Sequence, residues 1–293
     1  MKKKQPVLIF ACCILLATAC TNQNKKNDAG FQFKDEVKQS DIEVTKSFIY
    51  LFPSPGEILD RFYNADIQYV EEALNDPDKV DNYLSTRDKS LNLGVYLTDM
   101  AYSALFTRSS EAVDFLDVIQ KLSTELNVSS TAFETLIDRA KENLGIRDSL
   151  VTISNEVFFN MVEFLEGSGQ ENTIAVISCG AYVESMYLAM SSIDEYTEDD
   201  PIIHQISELK YPMENLLSHA ETVSDDPNVQ SILKYISELN DIFSQLEAES
   251  SKVSKTEPGV LTFSGGSAPE LNKDNFDLMK SKVISIRELI VGK

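Results

Sequence analysis

Apolar and polar positions alternate with the period of an α-helix along most of the chain after residue 48. Apolar side chains recur at every third or fourth position in successive blocks, and Pro, Gly and acidic residues separate these blocks. No segment shows sustained alternation of period two, and residues 260–263 form the one plausible short strand. The pattern predicts an all-α fold, a bundle of about eight to nine helices with two buried central helices. The helices are expected at residues 55–76, 87–106, 110–126, 130–144, 147–165, 171–193, 201–223, 229–246 and 273–290.

Helix boundaries are marked by capping residues and by prolines. Ser54-Pro55-Gly56-Glu57 predicts the first helix start, because serine is a good N-cap, proline fits the first helical position and Glu57 completes a capping box. Asn272 is expected to cap the last helix in the same way. Pro212 falls inside the seventh predicted helix and is expected to kink it.

The second and sixth helices carry almost no charge. Asp99 is the only charged side chain in residues 91–106, and Glu184 is the only one in residues 173–193. A helix that is apolar on all sides lies inside a bundle or inside a membrane. The sixth is long enough to span a bilayer, but Glu184 near its middle and acidic flanks without Lys or Arg favour a buried place in the bundle.

These two helices also resemble each other. Gly94 and Gly180 each precede a tyrosine, and a methionine and a second tyrosine follow at similar offsets; the four tyrosines are Tyr96, Tyr102, Tyr182 and Tyr187. Glycine in a helix costs about 1 kcal/mol relative to alanine, so both glycines predict the close approach of another helix. The similarity is explained by convergent packing, with a duplication of helix pairs as the alternative. The tyrosines are expected in the core with hydrogen-bonded hydroxyls, and contact with a ligand is the alternative.

Asp99 and Glu184 are the candidates for chemistry. An acid within an apolar helix must find a hydrogen-bond partner, take up a proton, or bind a cation or ligand. The sequence favours satisfied core groups and leaves a ligand site open. It does not show whether the two carboxylates meet.

Three segments resemble motifs of a family of all-helical Bacteroidetes lipoproteins. They are residues 52–58 (FPSPGEI), 91–102 (LNLGVYLTDMAY) and 180–187 (GAYVESMY), and the resemblance covers about residues 48–193. The chain departs from the family pattern at Ala181-Tyr182, where glycine and tryptophan are expected. The resemblance implies a helical fold and a lipid-anchored location, and it implies no activity.

The N-terminus has the pattern of a bacterial lipoprotein signal. Three lysines (residues 2–4) precede an apolar stretch at residues 7–16, and small residues lie directly before Cys20. The stretch is too short for a permanent membrane helix, which needs about 20 residues. We therefore expect cleavage after residue 19 and acylation of Cys20, with a plain secretory signal as the alternative. The usual leucine lies one place early, at Leu16.

The remaining chain divides by composition into four parts. Residues 20–47 are polar and are expected to form a flexible tether; about 30 such residues span on the order of 30 Å. Residues 48–249 carry the helical bundle. Residues 250–271 are rich in Gly and Pro and are expected to form a loop, and residues 272–293 form a C-terminal helix that packs on the bundle.

Charge and cysteine content exclude some classes of function. Without residues 1–19 the chain has a formal charge of −24, which argues against a nucleic-acid partner and leaves membrane attachment to the acyl chains. Cys179 is then the only cysteine besides Cys20, so no disulfide within the chain is expected. Its apolar neighbours favour a buried thiol.

No catalytic residue, cofactor or metal site is expected. His204 and His219 lack further ligands nearby, and the acidic residues 195–200 lack the ligand order of a calcium loop. Phosphate-binding and nucleophile-elbow motifs are also missing from the sequence.

We therefore expect a lipid-anchored, non-enzymatic binding or interaction module that acts on a protein partner or a small ligand. The alternatives are a hydrolase-type enzyme that uses Asp99 and Glu184 in an interhelical cleft, and an accessory protein of nutrient uptake. The resemblance to Bacteroidetes lipoproteins implies that an acidic cluster directly after the cysteine would mark export to the cell surface. Here the first acid after Cys20 is Asp28, which favours the periplasmic side of the outer membrane.

Overall fold

Two helices, α2 (Thr86–Leu105) and α6 (Glu171–Ser191), pack against each other at the centre of the fold. The computed structural model describes residues 52–128, 131–246, 252–257, 260–264 and 270–292. The predictions for the signal, Cys20 and the tether lie outside these residues. Most of the other helices contact α2, α6 or both, so the core is continuous around the central pair.

The described residues form an all-α fold, which confirms the predicted class. Eight further α-helices surround the central pair: α1 (Pro55–Asn64), α3 (Ser109–Glu125), α4 (Thr131–Glu142), α5 (Arg147–Gly167), α7 (Pro201–Glu208), α8 (Lys210–Thr222), α9 (Pro227–Phe243) and α10 (Lys273–Val291). Two short 3-10 helices, Glu71–Ala73 and Pro77–Asn82, join α1 to α2.

The helix caps follow the sequence. The Ser54 hydroxyl accepts the Glu57 backbone N–H at 3.1 Å, and the Glu57 carboxylate accepts the Ser54 N–H at 2.9 Å. The Asn272 side chain accepts the backbone N–H of Asn275 at 2.9 Å and caps α10. Both predicted helix starts are confirmed.

The first helix is shorter than its apolar pattern indicates. It ends at Asn64, and Asp66 then adopts a positive φ of 64°. After this point the backbone forms hydrogen bonds to the central helix α2 instead of helical hydrogen bonds within the segment. The Tyr102 hydroxyl donates to the Gln68 carbonyl at 2.7 Å and accepts the Val70 N–H at 3.0 Å. Tertiary hydrogen bonds therefore replace helical ones in this segment.

Two further differences raise the number of elements. The seventh predicted helix is divided at Leu209 into α7 and α8, because Pro212 cannot donate the hydrogen bond that would continue the helix past Glu208. The predicted loop at 250–271 contains an antiparallel hairpin of β1 (Lys252–Glu257) and β2 (Val260–Ser264). The predicted strand at 260–263 corresponds to β2, whereas β1 was not predicted.

The two central helices are in backbone contact at their glycines. A Cβ added to Gly94 would lie 2.0 Å from the Ile177 carbonyl oxygen, and one added to Gly180 would lie 2.0 Å from the Leu91 carbonyl oxygen. No side chain fits at either position, which confirms the predicted close approach.

Among the described helices, α6 alone is long and apolar enough to cross a membrane by length and composition. However, 89% of its most apolar stretch is buried inside the fold. Its neighbours include α2, α9 and α10, so its apolar surface is covered by protein.

Candidate functional site

Asp99 of α2 and Glu184 of α6 meet at the centre of the bundle. Both are completely buried, and their carboxyl groups are in hydrogen-bonding contact. Arg287 of α10 joins them and is only 1% exposed. We refer to Asp99, Glu184 and Arg287 as the charged centre.

Arg287 and Glu184 form a bidentate ion pair. Its Nε lies 3.0 Å from Glu184 Oε2, and its Nη2 lies 3.1 Å from Glu184 Oε1. Nη2 also donates to the Ala73 carbonyl at 3.0 Å, and the Tyr187 ring centroid lies 4.4 Å from the guanidinium carbon. Burial lowers the pKa of Arg287, but the charge and hydrogen bonds of Glu184 outweigh burial and leave that pKa above its usual value. Arg287 is therefore charged, and its two hydrogen bonds stabilise the carboxylate form of Glu184.

Asp99 is bound differently. Its Oδ2 accepts the backbone N–H of Asn75 at 3.2 Å, while its Oδ1 accepts no hydrogen bond from a described donor. Burial and the charge of Glu184 raise the pKa of Asp99 well above its usual value, although Arg287 acts in the opposite direction. A protonated Asp99 donates to Glu184, and the charged centre is then neutral as a whole.

The candidate tyrosines have structural roles. Tyr96 donates to the Asp76 carbonyl at 2.8 Å, and Tyr182 donates to the Leu209 carbonyl at 3.0 Å; both rings are fully buried. Burial raises the pKa of both hydroxyls, and it raises the pKa of Tyr102 to about 12. Tyr187 covers the guanidinium of Arg287. The interpretation as hydrogen-bonded core residues is confirmed for Tyr96, Tyr102 and Tyr182.

The other candidates do not form a site with one another. His204 is exposed, and His219 Nε2 lies 3.1 Å from the Glu171 carbonyl oxygen. Asp200 accepts the Ile202 N–H at 2.8 Å and caps α7. Within the described residues, no group of three or more His, Cys, Asp or Glu side chains is placed to hold a metal ion. Cys179 is buried, and burial raises its pKa to about 12.

Surface cavities lie among the described residues, away from the charged centre. One of about 770 Å³ lies between α1, α5 and the α7–α8 junction, and its lining includes Phe52, Val151 and Tyr211; we refer to it as the α1–α5 groove. A second, about 510 Å³, lies between the Pro77–Asn82 3-10 helix and α3. A third, about 240 Å³, is lined by residues that include Tyr83, Arg87 and Leu289.

Arg287 is the member of the charged centre that the sequence analysis missed. Its position was informative, because it lies four residues after Val283 and three before Ile290 on the buried face of α10. A charged residue on an apolar helix face requires a buried partner of opposite charge. Glu184, the only charged residue in residues 173–193, was the natural partner.

No family model, curated protein or solved structure matches this chain. The resemblance to Bacteroidetes lipoproteins stays a prediction.

Proposed function

We propose that this chain is a lipid-anchored envelope protein that serves as a non-enzymatic interaction module. Its anchor is the acylated Cys20, and its place is the periplasmic side of the outer membrane. The Lys-rich start, the short apolar stretch and the small residues before Cys20 support the anchor.

The observation that carries the proposal is the commitment of Glu184 to Arg287. A carboxylate pair that acts on a substrate must reach it, and the two acids need separated pKa values in an accessible cleft. Asp99 and Glu184 are 0% exposed, and the ion pair with Arg287 occupies both oxygens of Glu184. This arrangement favours a stabilising role over the hydrolase alternative.

A surface suited to a protein partner lies beside the cavity of about 240 Å³. Leu289 lines this cavity and is 64% exposed, and Leu84, between the lining residues Tyr83 and Arg87, is 82% exposed. Large apolar side chains beside a cavity are typical of protein-binding surfaces.

The anchor is tested by intact-mass analysis of membrane-extracted protein. The chain is expected to begin at residue 20 and to carry the added mass of acyl chains. Cys20→Ser should abolish membrane partition. A chain that begins elsewhere, or one without lipid, contradicts the anchor.

The interaction surface is tested by photo-crosslinking in the native envelope. A photoreactive residue at position 84 or 289 is expected to give a discrete cross-linked product, whereas one at Ile146, which is 55% exposed on another loop, gives none. Equal products at all three positions would contradict a specific surface. A hydrolytic activity that Asp99→Asn abolishes would favour the enzyme instead.

A further inference from the structure

The α1–α5 groove combines an apolar base with a polar rim. Phe52 is 1% exposed and Pro212 is buried at its base, whereas the Tyr211 ring stands 53% exposed at one wall. Its lining also includes the carboxylates of Glu57, Asp60 and Glu208 and the guanidinium of Arg61. Glu57 accepts the Ser54 N–H, and Asp60 lies 3.7 Å from Arg147 Nη2 outside the groove. Such a groove suits an apolar segment that brings a positive charge.

The chain itself enters the described body at this groove. Phe52 is the first described residue and also lines the groove. The Cα atom of the residue before it is therefore only about 3.8 Å from the Cα atom of a lining residue. Residues 48–51 read Phe-Ile-Tyr-Leu, and Lys46 lies just before them. Extended, the six residues 46–51 reach about 20 Å from Phe52.

Two properties make these residues the fitting occupant. Burial of the four consecutive large apolar side chains at 48–51 is favourable in free energy, and the groove offers apolar surface next to the residue to which they are attached. The positive charge of Lys46 complements the carboxylates on the rim. An intramolecular occupant also avoids the entropy loss of a second molecule, because its local concentration is fixed by the chain.

We infer that residues 46–51 dock in the α1–α5 groove and fix the end of the tether to the body. The free tether then shrinks to residues 21–45, about 25–30 Å in root-mean-square length. Leu84 and Leu289 do not border this groove, so the surface around them remains outside the docked segment. The inference concerns attachment and is independent of the proposed partner, so its failure leaves the interaction module standing.

Fluorescence of the mature acylated chain in detergent gives the first test. The chain contains no Trp, so Tyr50→Trp introduces a single reporter, and Phe31→Trp in the tether is the matched control. Emission of Trp at position 50 is expected at shorter wavelengths than emission at position 31. Adding Tyr211→Ser should shift the emission at position 50 toward that of the control. The same emission at both positions, or no response to Tyr211→Ser, overturns the inference.

Disulfide trapping in the same preparation gives the second test. The pair Ile49→Cys and Tyr211→Cys is expected to close quickly within one chain, since a disulfide needs Cα atoms within about 7 Å. Ile49→Cys with Leu278→Cys on α10 is the control and should stay reduced; Leu278 is 45% exposed. Equal closure of both pairs overturns the docking site. A disulfide that joins two chains at position 211 would make a second copy the occupant and would also overturn the inference.

Discussion

Two nearly isosteric substitutions in the charged centre should differ strongly in their effect on stability. Glu184→Gln removes the charge that compensates Arg287, and it leaves a guanidinium 1% exposed with the amide oxygen, the Ala73 carbonyl and the Tyr187 ring, which are all neutral, as its partners. Loss of one partner of a buried ion pair costs about 3–5 kcal/mol. Since domains of this kind are stable by about 5–15 kcal/mol, a large share of the folding free energy would be lost.

Asp99→Asn replaces a protonated carboxyl group by an amide of the same shape. The amide can donate to Glu184, and its oxygen can accept the Asn75 N–H that now binds Asp99. The free energy of unfolding at pH 4, near the unfolded pKa of an aspartate, should therefore change by less than about 1 kcal/mol.

Urea denaturation of the Cys20→Ser chain, followed by far-UV circular dichroism, measures both values. Glu238→Gln is the control, because its ion pair with Lys282 (3.0 Å) is partly exposed and should contribute less than about 1 kcal/mol. Adding Arg287→Met to Glu184→Gln should recover most of the loss, because neither buried charge then remains. If Glu184→Gln costs no more than Asp99→Asn, the account of the charged centre is wrong.

Three other predictions concern the titration of Asp99, the helix contact at the two glycines and the buried thiol of Cys179. The pKa of Asp99 is raised in the folded state, so Asp99 does not change the stability below the unfolded pKa of about 4. As the pH rises from there to the folded pKa, wild-type stability should fall relative to Asp99→Asn by up to about 1.4 kcal/mol per pH unit. Urea midpoints of both proteins at several pH values measure this difference, and parallel curves would refute it. Gly94→Ala and Gly180→Ala should each cost about 1–3 kcal/mol or more, because the added Cβ meets backbone at 2.0 Å, whereas Gly167→Ala, with no atom within 4 Å, should be neutral or slightly stabilising; thermal melts compare the three, and equal effects would contradict the contact. The Cys179 thiol should react with a thiol reagent only after denaturation, since it is buried and its pKa is raised to about 12; rapid stoichiometric labelling of the folded protein would exclude this burial.

The sequence was most informative where a residue has one physical use. Gly94 and Gly180 interrupt strong helices, and their only benefit is close backbone contact, which the structure confirms. The capping box at Ser54 was equally clear, because both of its hydrogen bonds are local. In such cases a few neighbouring residues determine the local structure.

The sequence was least informative where long-range contacts decide. The segment after Asn64 keeps a helical apolar pattern, but its backbone bonds to Tyr102 and Asp99 of α2. The protonation of Asp99 likewise depends on Glu184, 85 positions away in the chain, and on Arg287. The periodicity of apolar residues carries no information about these partners. The role of the two candidate carboxylates could therefore be assigned only from the three-dimensional fold.

The place of Arg287 in α10 has a consequence for folding. Its partners Glu184 and Ala73 lie 103 and 214 residues earlier, so the buried Glu184 gains this counter-charge only after α10 has been synthesised. A chain that ends at residue 271 should consequently leave Cys179 open to a thiol reagent, which measures incomplete closure directly. Closure of the core accordingly waits for a contact between residues far apart in the chain, and such long-range contacts form slowly.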